Sequence, residues 1–365
     1  MAKTIAEPAK QLRRGWTTGA CATAATKAAF TALLTGEFPD PVTITLPKGQ
    51  TPSFALCLEG KGDNWAQAGI VKDAGDDPDV THGATIIATV RLGAAGAGVT
   101  FAAGDGVGKV TKDGLPIAPG EPAINPVPRQ MMRDVVGEVA AKHGAPGDVA
   151  IEISVPGGAA LAAKTWNPRL GIVGGLSILG TTGIVNPFSC SAWIASIHRG
   201  IDVALAEGIG HIAGATGSTS EASVKAFHGL PDQALIDMGD FVGGMLKYIR
   251  THPVRRVTVA GGFGKMTKMA QGAMDLHSGR SQVDFDWLGD RVAELGGEAG
   301  LVDKVRGANT AKQVFDLVSA ANIALADVVA QRALVAGRET LRGADVALDT
   351  LVVDRDGVVI GKADG

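Results

Sequence analysis

A chain of 365 residues exceeds what one core usually organises and points to two domains. Its formal net charge of -3, with 19% charged and 45% hydrophobic residues, argues against a nucleic-acid binder that works through a broad basic field. Only 4% aromatics against 51 glycines imply close-packed backbones and a core of small side chains.

Cys21, Cys57 and Cys190 are far apart and match no metal-knuckle spacing, so a reducing compartment fits better than a disulfide framework. Met1 to Lys10 lacks the apolar core of a secretory signal. The longest uncharged stretch, Leu170 to Ile197, carries Gly174-Gly175, Thr181-Thr182-Gly183 and Asn186-Pro187 in its middle, which a lipid-facing helix tolerates poorly. The expectation is a cytoplasmic protein without membrane contact.

In chain order, Gly19 to Leu34 reads as a small-residue helix capped by Thr17 or Thr18. Strand-like runs follow at Val42 to Leu46, Ser53 to Glu59, Ala68 to Lys72, Thr85 to Leu92, Val99 to Ala102 and Gly108 to Thr111, separated by turn residues. Met131, Val135 and Val139 give Pro128 to His143 a helical spacing that ends at Gly144. Val149 to Val155 and Ala159 to Lys164 read as two more strands, joined by Pro156-Gly157-Gly158. Residues 1–165 thus form an α+β N-terminal domain.

From Trp166 the rhythm changes to alternating strand and helix. Three apolar runs each break into a glycine turn and a helix start: Ser177 to Leu179 into Gly180-Thr181-Thr182-Gly183, Ile209 to Ala213 into Gly214-Ala215-Thr216-Gly217, and Arg256 to Ala260 into Gly261-Gly262-Phe263-Gly264. Asn186-Pro187 suits a cap with Pro at the first position of a helix over Phe188 to Ala206, and Ser218 to Glu221 spells a capping box. Helical stretches over Asp237 to Arg250, Lys265 to Leu276, Trp287 to Leu295 and Ala311 to Leu341 precede β-like Ala347 to Val353 and Val358 to Gly361. Residues 166–365 are predicted to be an α/β domain with a small, mostly parallel sheet flanked by helices. Its glycine turns would open onto one crevice at the strand ends, where free N–H groups and helix dipoles favour a carboxylate or phosphate.

Familiar motifs fail here. The one GxGxxG/A match, Gly208 to Ala213, precedes its strand instead of following it, and Gly264-Lys265 lacks the upstream glycine of a P-loop. Lys265 and Lys268 could nevertheless meet an anion. The 7 histidines show no HExxH spacing, no serine sits in a GxSxG elbow and no metal site is expected. The turn Asp73-Ala74-Gly75-Asp76-Asp77-Pro78-Asp79 crowds four carboxylates, which suits either a solvated bend or a site that splits carboxyl pKa values.

Arg14-Gly15-Trp16-Thr17-Thr18-Gly19-Ala20-Cys21, the Asp73 to Gly83 turn, Ile124 to Arg129, Gly175 to Pro187 and Gly261 to Lys268 together resemble the cobalt-precorrin-5B (C-1)-methyltransferase family, CbiD. The last segment departs from that pattern, with Gly262-Phe263 where the family carries His-Pro. The resemblance implies methyl transfer from S-adenosylmethionine to C-1 of a tetrapyrrole in cobalamin biosynthesis, with a corrin precursor as small-molecule partner and a homo-oligomer as a possible assembly. On that reading, residues 1–165 contact the ring and residues 166–365 hold S-adenosylmethionine.

A sulfonium methyl group needs alignment and desolvation more than a nucleophile, in keeping with the absence of a triad. Gly180, Thr181, Thr182, Gly183, Gly214 and Gly217 are the candidates for the methyl donor, with its ribose contact unassigned. Arg13, Arg14, Thr17, Thr18, Arg129 and Lys265 are candidates for the anionic ring, and Asp76 and Asp77 for proton handling. Two other readings stand beside it: a non-catalytic tetrapyrrole carrier of the same pathway, and a nucleotide-dependent phosphotransferase.

Overall fold

The computed structural model describes residues 12–365; the reading of Met1 to Lys10 lies outside the described residues. After β1 (Gly15–Trp16), the Thr17 hydroxyl accepts from the Ala20 N–H at 3.1 Å and starts α1 (Thr18–Thr35), which Gly36 ends with φ +83. Ala20, Ala24, Ala25, Ala28 and Phe30 have no exposed surface, so α1 is covered by more than one layer. Its threonines tolerate burial because the Thr23 and Thr26 hydroxyls donate to the Gly19 and Ala22 carbonyls, each at 2.8 Å.

Next come β2 (Val42–Thr43), β3 (Ser53–Phe54), β4 (Leu58–Gly62), β5 (Trp65–Val71), β6 (Thr85–Leu92), β7 (Val99–Ala103) and β8 (Lys109–Val110). They are followed by α2 (Pro126–His143), β9 (Val149–Ser154), α3 (Gly158–Ala162), β10 (Ile172–Val173) and β11 (Ile184–Val185). The main sheet has the order β4-β5-β6-β9-β7, antiparallel except for the parallel β7–β9 pair. Alternate residues Ala66, Ala68 and Ile70 on β5 and Ile86, Ala88 and Val90 on β6 join α1 and the Met131, Val135 and Val139 stripe of α2 in one core.

The run Ala159 to Lys164, expected as a strand, falls for the most part in the short helix α3, consistent with the helix preference of its alanines. The chain divides into Met1–Ser189 and Cys190–Gly365, beyond the change of rhythm at residue 166. The reason is pairing: β10 lies against β8 and β11 against β1, which binds these late residues to the first unit. The first glycine turn goes with them. Ser177 to Leu179 makes only an isolated bridge, Ile178 to Ile124, and is not a strand of the parallel sheet. Three turns on one sheet therefore become two.

The second unit runs α4 (Cys190–Ala206), β12 (His211–Ala215), α5 (Ser218–His228), β13 (Leu235–Asp237), α6 (Val242–Ile249), β14 (Arg256–Gly262) and α7 (Phe263–Ala270). It continues through α8 (Phe285–Glu294), α9 (Ala299–Arg306), α10 (Ala311–Ala320), α11 (Leu325–Leu341), β15 (Ala347–Val353) and β16 (Val359–Ala363). The sheet order is β13-β12-β14-β15-β16, parallel except for β16. Ala213, Ala260 and Leu351 pack with Val224 of α5, whereas Ile212, Val257, Val259 and Val352 face a larger core built with α4, α6, α7 and α11. Both faces are thus apolar, as a parallel sheet requires. The α+β unit followed by an α/β unit with a small, mostly parallel sheet is the architecture observed.

Several local expectations change. The helix expected from Phe188 begins at Cys190, because Phe188 takes φ +55 and interrupts it; Asn186-Pro187 is no cap. The capping box is replaced by Gly217 at the cap position, with the Ser220 hydroxyl turned back to the Gly217 carbonyl at 2.9 Å. Asp237 ends a strand before α6 begins at Val242. The run Ala311 to Leu341 breaks into α10 and α11 around Asn322 at φ +54. No helix among the described residues is long and apolar enough to cross a membrane.

Candidate active site

In the first unit the acidic turn is stitched to its surroundings. Arg13 grips Asp73 with both terminal nitrogens, one of them at 2.9 Å, and this bond together with the Gly75 N–H holds the Asp73 carboxyl at about 2. Asp76 accepts the Arg13 backbone N–H at 2.7 Å, and Asp77 accepts the Phe188 N–H at 2.8 Å. Asp79 pairs at 2.7 Å with Lys72, whose side chain is only 1% exposed. Burial pushes the Asp79 carboxyl up, but the Lys72 charge and the Thr81 hydroxyl and N–H outweigh it and hold the group low.

Thr17, Thr18 and the Gly180-Thr181-Thr182-Gly183 turn form a second stitched cluster. Thr17 N–H donates to the Gly183 carbonyl at 3.0 Å, and Leu179 N–H donates to the Thr18 hydroxyl at 2.9 Å. A Cβ on Gly180 would lie 2.4 Å from Thr17 Cβ, and one on Gly183 would lie 2.5 Å from Leu46 Cδ2. Gly183 also has φ +80, so this turn needs glycine for contact and for backbone conformation. Thr182 accepts from the Ile184 N–H at 3.2 Å, while Thr181 stands exposed at the tip.

The ring candidates divide. Arg129 donates to the Ile124 and Pro122 carbonyls at 2.8 and 3.0 Å and to Glu121 at 3.1 Å, so its fork is spent inside the fold. Arg14 is exposed, and its side chain has no ion pair or hydrogen bond among the described residues.

In the second unit, counting parallel strands by their appearance gives the order 2-1-3-4, so direction of travel reverses between β12 and β14. That reversal sends the Gly214-Ala215-Thr216-Gly217 turn into α5 on one face of the sheet and the Gly261–Gly262 turn into α7 on the other. Thr216 N–H donates to the Ala260 carbonyl at 3.0 Å, and Gly239 N–H, leaving β13, donates to the Ala215 carbonyl at 3.0 Å. Gly214 is a packing glycine, since a Cβ there would lie 2.4 Å from Met245 Sδ. Gly217 is different: a Cβ there would meet nothing within 4 Å. At Gly262 the nearest atom is the Val353 carbonyl oxygen at 4.0 Å.

Among the described residues neither α5 nor α7 has a side-chain cap, which leaves their first N–H groups for another acceptor. Lys265 pairs with Asp240 beside this edge. A cavity of about 500 Å³, lined by Gly262, Phe263, Lys265, Phe315, Asp354 and Arg355, adjoins the ends of β14 and β15. That size lies within the range of small-molecule sites.

Two features escaped sequence reasoning. Asp237 ends β13 beside the Gly214–Gly217 turn, where open α/β sheets place an acid for ribose hydroxyls; the three-residue strand was too short to show periodicity. His211, His228 and Asp349 converge on the α5 face of the sheet closely enough to hold a cation. The Thr258 hydroxyl, however, lies between them at 2.8, 3.3 and 3.2 Å, and Arg256 Nε binds Asp349 at 2.5 Å. Burial, reinforced by His228 and Arg256, takes His211 down to about 4, and burial with Arg256 also lowers His228.

Two family models match this chain. The CbiD family model matches residues 5–187, and the model described as CbiD, C-terminal domain, matches residues 275–364. Relatives named cobalt-precorrin-5B C(1)-methyltransferase include one from Brucella anthropi, 60% identical over 96% of both chains. Another, from Paramagnetospirillum magneticum, is 63% identical over 96% of this chain and 98% of its own. A solved cobalamin biosynthesis protein (cbiD) from Archaeoglobus fulgidus is 26% identical, covering 69% of this chain and 77% of that one, with a TM-score of 0.40. With one family model spanning half of its length and relatives aligned almost end to end, this chain belongs to the CbiD family.

Proposed function

We propose that this chain transfers a methyl group from S-adenosylmethionine to C-1 of cobalt-precorrin-5B, giving cobalt-precorrin-6A on the route to cobalamin. The observation that carries this reading is identity of 60% and 63%, across 96% of the chain, to relatives named for that reaction. The carboxyl edge of the parallel sheet supports it. Uncapped N–H groups of α5 and α7 at Gly217 and Gly262 suit the donor's methionine carboxylate, and Asp237 suits its ribose. Gly214 contributes the tight packing that brings the turn to that edge.

The ring precursor is anionic, so it needs local cations in a chain of net charge -3. Arg14 meets that need in the first unit, whereas Arg13 and Arg129 already hold carboxylates of the protein. Asp76 and Asp77 each accept a backbone N–H with one oxygen, and the other, with no hydrogen bond among the described residues, suits a ring N–H or a proton in transit. Methyl transfer then depends on holding the sulfonium methyl in line with C-1 and keeping water out. A cytoplasmic location fits cysteines at 21, 57 and 190, too few and too far apart in the sequence for a disulfide framework.

Calorimetric titration with S-adenosylmethionine, S-adenosylhomocysteine and ATP, paired with transfer of labelled methyl to the ring, tests the reading. Binding of both adenosyl compounds and label in the ring are the expected results. Ring binding without donor binding would make the chain a carrier, and ATP binding alone a phosphotransferase.

A further inference from the structure

At the outer end of the parallel sheet stands an aromatic side chain that the fold leaves uncovered. Trp193, in the first turns of α4, is 46% exposed although burying an indole would stabilise the unit. It is not loose. Its Nε1–H donates to the Asp237 carbonyl at 3.0 Å, which fixes the ring at the carboxyl end of β13. Gly239 passes beneath it so closely that a Cβ there would lie 3.3 Å from Trp193 Cζ2. Phe241 stands beside it with ring centroids 6.4 Å apart, and the Arg280 guanidinium lies 5.8 Å over the Phe241 ring. A pinned, half-exposed indole flanked by a second ring and a cation is a platform for a flat, electron-rich ring.

Its place in the topology selects the ring. β13 is the second strand of the β12–α5–β13 unit, beside the turn whose N–H groups would face the methionine carboxylate. A ligand anchored at that turn and running along the sheet edge reaches the end of β13 with its nucleoside part. We propose that Trp193 is the stacking platform for the adenine of the methyl donor, with Phe241 bounding the pocket beside it. This rests on the reading that the chain uses an adenosyl methyl donor.

The test uses the full chain and S-adenosylhomocysteine. Calorimetry on the unmodified protein comes first; failure to bind would remove the donor reading and this assignment together. Where it binds, Trp193→Ala should weaken it roughly tenfold or more, the usual loss when a base loses an aromatic partner. Trp193→Phe, which keeps a π face but no N–H, should stay within about threefold.

Indole fluorescence of the unmodified protein should change on titration, and Trp193→Phe should abolish that change, a readout that survives if the alanine variant does not fold. Equal affinity in a folded Trp193→Ala, or a fluorescence change retained in Trp193→Phe, overturns the assignment and leaves the donor reading standing. A raised KM for the ring with unmoved S-adenosylhomocysteine affinity also overturns it, and gives the platform to the tetrapyrrole.

Discussion

The chain spells nearly the same turn twice, Gly180-Thr181-Thr182-Gly183 in the first unit and Gly214-Ala215-Thr216-Gly217 in the second, and folding uses the two in opposite ways. In the first, both glycines are pressed against side chains, Gly180 against Thr17 and Gly183 against Leu46. The turn locks the start of α1 to the end of the unit. In the second, Gly214 is pressed against Met245, but Gly217 faces open space at an uncapped helix start. A glycine required by a neighbour and a glycine open to a ligand look identical in sequence. Only the surroundings separate them, and the same division runs through the charged residues.

The largest effect should come from the acidic turn. Asp79→Asn removes the partner of the buried Lys72 ammonium and should cost about 3 kcal/mol, as when one member of a buried pair is deleted. A urea melt measures it. A loss below about 1 kcal/mol would mean that the turn is a solvated bend and that stitching is the wrong description of the first unit.

The two turns give the sharpest contrast. Gly183→Val forces a β-branched residue to φ +80 and into Leu46, for about 2–3 kcal/mol of destabilisation. The folded fraction should still bind S-adenosylhomocysteine normally. Gly217→Val places its side chain in free space on extended backbone at φ 170, so stability should stay within about 0.5 kcal/mol while donor affinity falls roughly tenfold. Thermal melts beside calorimetry on both variants decide it; the reverse pattern would move the donor site to the first unit.

These contrasts also show what was legible beforehand. Thr17, the alanine run and Gly36 carry their own start, body and stop, so α1 could be read to within a residue. Thr85 to Leu92 likewise alternates as a half-buried strand should and is observed unchanged. The change of rhythm near Trp166 was visible, but the pairing of β10 and β11 with much earlier strands was not, because two-residue strands leave no period to detect. The acidic turn was visible as chemistry, yet its partners Arg13, Lys72 and the Phe188 N–H come from positions up to 111 residues away. Trp193 and Asp237 were silent for a different reason. Each matters through a place at one sheet edge, and place is a property of topology rather than of local pattern.

A smaller effect concerns pH in the second unit. His211, at about 4, and His228 are both lowered in the folded protein, so folding favours their neutral forms. For His211 that contribution is complete above the unfolded value near 6.5 and is lost as pH falls toward about 4, where the folded protein takes up the proton as well; His228 adds to the loss in the same direction. Tm should therefore drop between these limits, and the drop should shrink in His228→Gln. An unchanged pH profile in that variant would mean that His228 does not contribute to the acid sensitivity of the unit.

The smallest effects separate two arginines that the sequence places on an equal footing. Arg129 spends its guanidinium on two carbonyls and Glu121, and its side chain is only 17% exposed. Glutamine is too short and has too few donors to replace those bonds, so Arg129→Gln should lose about 1–2 kcal/mol of stability. Any change in ring binding should follow from that loss of fold. Arg14 has no such duties among the described residues, and Arg14→Gln should melt within about 0.5 kcal/mol of the unmodified protein. If Arg14 meets a carboxylate of the ring, the same variant should raise KM severalfold, leave S-adenosylhomocysteine affinity unchanged and flatten the salt dependence of ring binding, since one exposed charge contact is gone. The comparison breaks if Arg129→Gln keeps full stability but loses ring affinity, because a residue saturated by its own fold would then be recognising substrate.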